Sequence, residues 1–189
     1  MFSTIMGIKE KNTESWKLKS TKPMRGGVRP PSLSRIQRIL FFLFKMPIIH
    51  KFANKLLRKS LKLNASITIH KGFFVSTPYL KVGNNTCLGD TFIRAVAPVT
   101  IGSNCSFSYR NMILTGTHDY KDFSKIIAKP VIIGNNVWIT SNVTILPGVT
   151  IGDNTIIGVG SIVTKDIPSG VFAAGNPCKV IKKIDFKIN

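Results

Sequence analysis

Six aliphatic residues fall at strict intervals of six: Ile133, Ile139, Ile145, Ile151, Ile157 and Val163. Two residues before each stand Val131, Val137, Val143, Val149, Thr155 and Ser161, all β-branched or small. Glycine follows the aliphatic residue at Gly134, Gly152 and Gly158. A period of six matches neither the 3.6 of a helix nor the 2 of a strand alone. It suits a solenoid with a triangular coil, in which each short strand sends one aliphatic side chain inward before the chain turns a corner. Three hexads then close a coil, and coils stack at about 4.8 Å, the spacing of paired strands. Asn135-Asn136 and Asp153-Asn154 suit corner positions near the left-handed region.

The period begins earlier in the chain. Val82-Gly83 and Leu88-Gly89 are six apart, and Ile101-Gly102, Phe107 and Ile113 continue after a slip of one residue around Arg94 to Pro98. It then stops, so residues 115–130 are expected to protrude as a loop, and the hexads amount to about five coils. Gly175-Asn176-Pro177 reads as a turn that redirects the chain into a C-terminal segment beginning at about residue 168. Ahead of the repeat, residues 1–32 form an irregular basic arm punctuated by Pro23, Gly26, Gly27, Pro30 and Pro31. Residues 33–64 alternate basic and apolar side chains at helical spacing, with Ser32 or Ser34 as the cap and Pro47 kinking the helix or splitting it in two. The solenoid domain then occupies residues 65–189.

The formal charge of +19 points at first sight to nucleic acid or an anionic membrane. Its distribution narrows that reading. Residues 1–65 hold 15 Lys or Arg against 2 acids, whereas residues 66–189 hold 12 against 6. The excess belongs to the N-terminal third, and no nucleic-acid-binding module accompanies it. Residues 34–63 either pack on the solenoid or rest a basic amphipathic face on anionic lipid. The longest apolar stretch, around Ile39–Ile49, is broken by Lys45 and Pro47 and is too short to span a bilayer. The first 20 residues show no apolar leader, and three cysteines at no redox or metal spacing fit a reducing compartment, so a cytoplasmic protein is expected. Cys87 and Cys105 read as small residues packed in corners.

The repeat [LIV]-G-x-x-x-x resembles that of the hexapeptide-repeat acyltransferases, whose fold is a left-handed parallel β-helix. The stretch KPVIIGNNVWITSNVTILPGVTIGDNTIIGVGSIVTKDIPSGVFAAGNPCKVIKKI, Lys129 to Ile184, is similar to the sugar O-acetyltransferases that act on maltose and galactosides. Residues 34–128 look more like the acetyltransferases of colanic acid and capsule biosynthesis. The resemblance covers about four-fifths of the chain. It implies a mainly β fold, acetyl-CoA as co-substrate, no metal, a sugar or glycan-precursor acceptor, and a homotrimer with its site between neighbouring prisms.

The same resemblance assigns residues. His118, in the segment that interrupts the repeat, matches the catalytic base. The chemistry needs such a group, because a sugar hydroxyl is a weak nucleophile until its proton leaves, and a neutral imidazole, ordinarily near pKa 6.5, is suited to take it. Asp119 or Asp122 could orient the imidazole or touch the acceptor; the simpler sugar acetyltransferases tend to carry proline after the histidine, and this departure leaves the orienting group open. Ser141 matches the position whose backbone N–H holds the developing oxyanion. Trp138 either walls the acyl or acceptor pocket or packs at a subunit contact. Ser141, Val159, Thr164, Lys165, Lys179 and Lys182 match coenzyme-binding positions, with lysine at 179 and 182 where relatives often carry arginine, giving up the bidentate fork. His50 and His70 read as structural or solvated. The competing readings are acetylation of a xenobiotic alcohol or an amine, and a non-catalytic solenoid scaffold that docks to a membrane or assembly.

Overall fold

The computed structural model describes residues 32–44, 46 and 50–185. Within them, two helices precede a three-faced parallel β-helix of about five coils. Face one stacks β1 (Phe74–Val75), β3 (Phe92–Arg94), β6 (Met112–Leu114), β11 (Thr144–Ile145) and β14 (Ile162–Val163). Face two stacks β2 (Leu80–Val82), β4 (Val99–Ile101), β9 (Val131–Ile133) and β12 (Thr150–Ile151), and Ile167 extends it by one bridge. Face three stacks β5 (Ser106–Phe107), β10 (Trp138–Ile139), β13 (Ile156–Ile157) and β15 (Val171–Ala174). Consecutive strands always lie on different faces, which is what a coil requires. The exceptions are the antiparallel pairs, β7 (Gly116–His118) with β8 (Ile126–Ala128), and β15 with β16 (Lys179–Lys183).

The aliphatic hexad residues form vertical ladders inside the prism. On face one Val75, Ile93, Ile113, Ile145 and Val163 are in register and buried. Ile101, Ile133 and Ile151 do the same on face two, and Phe107, Ile139, Ile157 and Ala173 on face three. Each buried isoleucine contributes roughly 1.5–3 kcal/mol. A strand of two or three residues gains its stability from this column rather than from its own length.

The corners explain the rest of the hexad. Residues two before the aliphatic position, Val131, Val137, Val143, Val149, Thr155 and Ser161, are buried, and the two hydroxyls among them bond carbonyls, Thr155 Oγ1 donating to Pro168 O at 3.0 Å and Ser161 Oγ to Gly158 O. Asn136 and Asn154 take the left-handed conformation at φ 54° and 56°, and Asn136 Nδ2 donates to Asn154 Oδ1 at 2.9 Å, linking one coil to the next. Glycine after the aliphatic residue answers to close approach. A Cβ on Gly102 would lie 2.5 Å from the Gly134 carbonyl oxygen one coil away, a backbone atom that cannot step aside.

The slip of one residue resolves into two opposite irregularities. Leu88 to Ile93 is one residue short, and Ile93 to Ile101 is two residues long. The extra residues make a corner at 95–98. Its buried carbonyls are satisfied by Thr77 Oγ1 donating to Ala95 O at 2.7 Å and Thr115 Oγ1 to Ala97 O at 3.1 Å. The cysteines divide: Cys105 is buried in a corner, where burial pushes its thiol pKa up, but Cys87 is not. Thr86 fills that corner, and Cys87 faces outward with Sγ 3.8 Å from His70 Nε2.

Ahead of the coils lie α1 (Arg35–Phe44) and α2 (His50–Ser60). The segment is two helices rather than one kinked helix; Pro47 itself, Lys45 and residues 1–31 of the basic arm lie outside the described residues. Ser34 is the cap. Its Oγ accepts from Gln37 N at 3.1 Å, and Gln37 Oε1 accepts from Ser34 N at 2.8 Å, a reciprocal capping box. At the other end Leu63 N donates to Arg58 O and Lys62 N to Lys59 O, with Lys62 at φ 56°, the geometry of a Schellman stop. Leu40, Phe41, Phe44, Ala53, Leu57 and Leu61 are buried, and the Phe41 ring sits 5.1 Å from that of Phe74 and 6.4 Å from that of Phe73. The helix pair therefore closes the first coil and keeps water off its open end.

Candidate active site

The hairpin β7–β8 leaves the prism at the corner between faces one and two. Its root is pinned where Lys129 N donates to Thr115 O at 2.9 Å and where Gly116 lies too close to Val96 for a side chain. Residues 115–130, expected as a loop, are thus a two-stranded ribbon in the register Gly116↔Ala128, Thr117↔Ile127, His118↔Ile126. The turn beyond it is built by two carboxylates. Asp119 Oδ1 accepts from Lys121 N at 2.8 Å, and Asp122 Oδ1 accepts from Ser124 N and Ser124 Oγ at 3.0 and 2.6 Å. Lys125 Nζ closes the turn at 3.2 Å from Asp122 Oδ2. The Ser124 hydrogen bonds, joined by Lys125, hold the Asp122 carboxyl below its ordinary pKa.

His118 ends β7 with its ring exposed, and its Nδ1 stands 2.7 Å from the Phe123 carbonyl oxygen. A carbonyl only accepts, so Nδ1 carries a hydrogen, and in the neutral ring Nε2 is left with the lone pair. The group that orients the imidazole is therefore a backbone carbonyl in the hairpin turn. It is neither Asp119, which is spent on Lys121, nor Asp122, which is spent on Ser124 and Lys125. Sequence reasoning missed Phe123, because a carbonyl is the same on every residue and only the hairpin register brings it to the ring.

Ser141 sits at a different corner, between faces three and one. Its Oγ accepts from Tyr109 N at 3.3 Å and its carbonyl from Gly160 N at 3.0 Å, so Tyr109, Ser141 and the Val159-Gly160 turn stack one above another. The backbone N–H groups of Ser141 and Val159 make no hydrogen bond among the described residues and are free to meet an anionic or carbonyl ligand. The Val159 side chain is open to solvent. Trp138 points outward from face three, in register with Ser106 and Ile156, with Nε1 3.4 Å from Ser108 Oγ. Tyr109 is the partner of Ser141 that the repeat did not single out; its only signal is its place one coil above.

Thr164 and Lys165 follow β14 at the corner between faces one and two, the corner from which the His118 hairpin leaves, and both are exposed. Lys179 and Lys182 lie on β16, paired with Ala174 and Phe172 of β15 at the C-terminal end of the prism. All five residues of β16 are exposed, and neither lysine, nor Lys165, forms an ion pair among the described residues. One chain thus gathers Ser141, Val159 and Tyr109 at one corner and the roots of His118, Thr164 and Lys165 at another. The span from Asn142 to Leu146 across face one separates the two groups. The His50 side chain lies outside the described residues, and His70 is exposed on the first coil.

Comparison with known proteins places the fold and the family. Residues 130–165 match the family model for the bacterial transferase hexapeptide (six repeats). The galactoside O-acetyltransferase of Escherichia coli K12 is 43% identical over 141 residues, covering 68% of this chain and 69% of that protein. The crystal structure of a maltose O-acetyltransferase from Clostridium difficile 630 superposes with a TM-score of 0.72 at 33% identity, over 79% of this chain and 85% of that one. A galactoside acetyltransferase in complex with coenzyme A superposes with a TM-score of 0.67, also at 33% identity, over 79% of each chain. The shared fold is the left-handed parallel β-helix. The chain belongs to the hexapeptide-repeat acetyltransferases and is an acyltransferase of that family.

Proposed function

We propose that this acetyl-CoA-dependent acyltransferase moves the acetyl group directly onto a hydroxyl of a sugar or glycan precursor, with His118 as general base. The observation that carries the reading is the bond from His118 Nδ1 to the Phe123 carbonyl, which in the neutral ring puts the lone pair on Nε2 of an exposed imidazole. Lys165, Lys179 and Lys182, which form no ion pair among the described residues, suit a ligand that combines phosphates with an acyl carbonyl, as do the N–H groups of Ser141 and Val159, which make no hydrogen bond among those residues.

Acetyl-CoA supplies an activated acyl carbon. His118 Nε2 takes the acceptor's proton as the hydroxyl oxygen bonds to that carbon. The Ser141 N–H donates to the acyl oxygen as negative charge develops on it. When the carbon–sulfur bond breaks, the imidazolium returns its proton to the departing thiolate. Proton and charge balance within one ternary complex, with no acyl group stored on a cysteine.

Placement of the candidate groups at two corners of one prism supports a homotrimer. A neighbouring copy that sets its hairpin corner against the Ser141 corner joins base and oxyanion donor, and three copies around an axis close three such grooves. The function is tested by thiol release from acetyl-CoA in the presence of free sugars, nucleotide sugars, lipid-linked oligosaccharides, and simple alcohols or amines. Acceptor-dependent release with a sugar-bearing compound, and an O-acetyl ester as product, is the expected result. Release with amines alone, or with none of the panel, counts against it.

A further inference from the structure

From Ser15 to Gly89 the chain carries 15 Lys or Arg and not one Asp or Glu. The two helices that close the first coil lie inside this stretch. On α1 the buried residues Gln37, Leu40, Phe41 and Phe44 take one side, and Ile36, Ile39 and Phe42 take the other, at exposures of 68%, 56% and 66%. On α2, Ala53 and Leu57 are buried while Phe52 is 67% exposed and Leu56 is also at the surface. A helix on a soluble surface ordinarily turns polar residues outward. This helix pair presents large apolar side chains outward, interspersed with Arg35, Arg38, Lys55 and Lys59, all exposed.

The occupant must accept both kinds of side chain. A second copy of the same face would set cation against cation with no carboxylate within the segment to relieve it. A nucleic-acid backbone would take the cations but leave isoleucine and phenylalanine in water. An anionic lipid surface meets both demands, with headgroups for the cations and the boundary beneath them for the apolar side chains. We propose that this helix pair docks the enzyme on an anionic membrane surface, with Ile36, Ile39, Phe42 and Phe52 entering the headgroup–acyl boundary and Arg35, Arg38, Lys55 and Lys59 against the headgroups. Among the described residues no helix is long and apolar enough to cross a bilayer, so the contact is peripheral. The face lies at the first-coil end of the prism, whereas Lys179 and Lys182 lie at the last-coil end, so docking leaves the coenzyme-suited strand facing away from the lipid.

The test is flotation of the full chain with vesicles of phosphatidylcholine alone or mixed with phosphatidylglycerol. Binding is expected to the anionic vesicles at low salt, with release at high salt and none to neutral vesicles. Ile39→Ser with Phe42→Ser is expected to weaken it by about 10-fold or more, with thiol release on a soluble acceptor and the mass in solution unchanged. The proposal is overturned if the full chain does not float with anionic vesicles at low salt, or if the double variant floats as well as the wild type. It is also overturned if the variant lowers the mass in solution, which assigns the face to contact between copies, or if immobilised poly-glutamate retains the chain while vesicles do not, which assigns it to an acidic protein. Should the apolar variant fail to fold, Arg35→Gln, Arg38→Gln and Lys59→Gln together replace it: loss of flotation supports the proposal, and undiminished flotation overturns it.

Discussion

At His118 the choice of basic nitrogen is made by a main-chain atom. The Phe123 carbonyl fixes the hydrogen on Nδ1, and the Asp122–Ser124–Lys125 turn holds the chain on which that carbonyl sits. Asp122 is exposed and held below its ordinary value, so its carboxylate is present above that value and is lost only as the pH falls through the lowered one. The Asp122 contacts of the turn are therefore intact across the neutral range. On the proposed mechanism, removing the imidazole leaves hairpin, corner and lysines in place but gives the acceptor proton no recipient. His118→Ala is expected to lower kcat by about 100-fold or more, in keeping with general-base contributions. Titration calorimetry with coenzyme A should give unchanged binding, and near-wild-type turnover would remove His118 from the mechanism.

At the scale of the element, β16 is the piece whose chemistry and place are best matched. It is a five-residue strand at the last-coil end, exposed along its length and carrying three lysines with no carboxylate partner among the described residues. Lys179→Glu with Lys182→Glu reverses two charges without touching the inward column, so thermal unfolding should be unchanged. If these lysines hold the coenzyme phosphates as proposed, the KM for acetyl-CoA should rise strongly, about 10-fold or more, and the effect should shrink as salt increases. An unchanged KM at low and moderate salt alike would make these lysines an ordinary solvated edge. Legibility follows the same division. The hexads from Val131 to Val163 were readable because each strand must send one aliphatic side chain into a shared column, and that demand is written in side chains. The corner at 95–98 shows in the sequence only as a net slip of one, because its excess of two residues is partly offset by the shortage of one between Leu88 and Ile93. The ribbon from Gly116 to Ala128 carried no hexad and no inward column, so its strands were invisible, and with them the Phe123 carbonyl. The Ser34 cap was half legible: the serine was a candidate, but only the reciprocal bonds with Gln37 decide it over Ser32.

For the whole molecule the question is where two halves of a site meet. The corners of one prism hold the His118 hairpin and the Ser141 N–H on opposite sides of face one, whose outward residues Phe92 and Met112 are apolar and partly open. If the working site joins the hairpin of one copy to the Ser141 corner of the next, two differently disabled chains can repair each other. His118→Ala lacks the base but keeps the Ser141 N–H; Ser141→Pro lacks that N–H but keeps the base. Each variant alone is expected to be nearly inactive, and scattering should first show that both fold and keep the wild-type mass. Mixed in equal amounts under conditions that exchange subunits, a site is whole only when a Ser141→Pro chain supplies the hairpin and a His118→Ala chain the corner. Random assembly makes that true of about one site in four, so the mixture should regain about a quarter of wild-type activity. A site built within one chain would regain nothing, because no chain in the mixture carries both groups. Recovery of activity on mixing, measured as thiol release per chain, therefore separates a groove shared between copies from a site that each prism completes by itself.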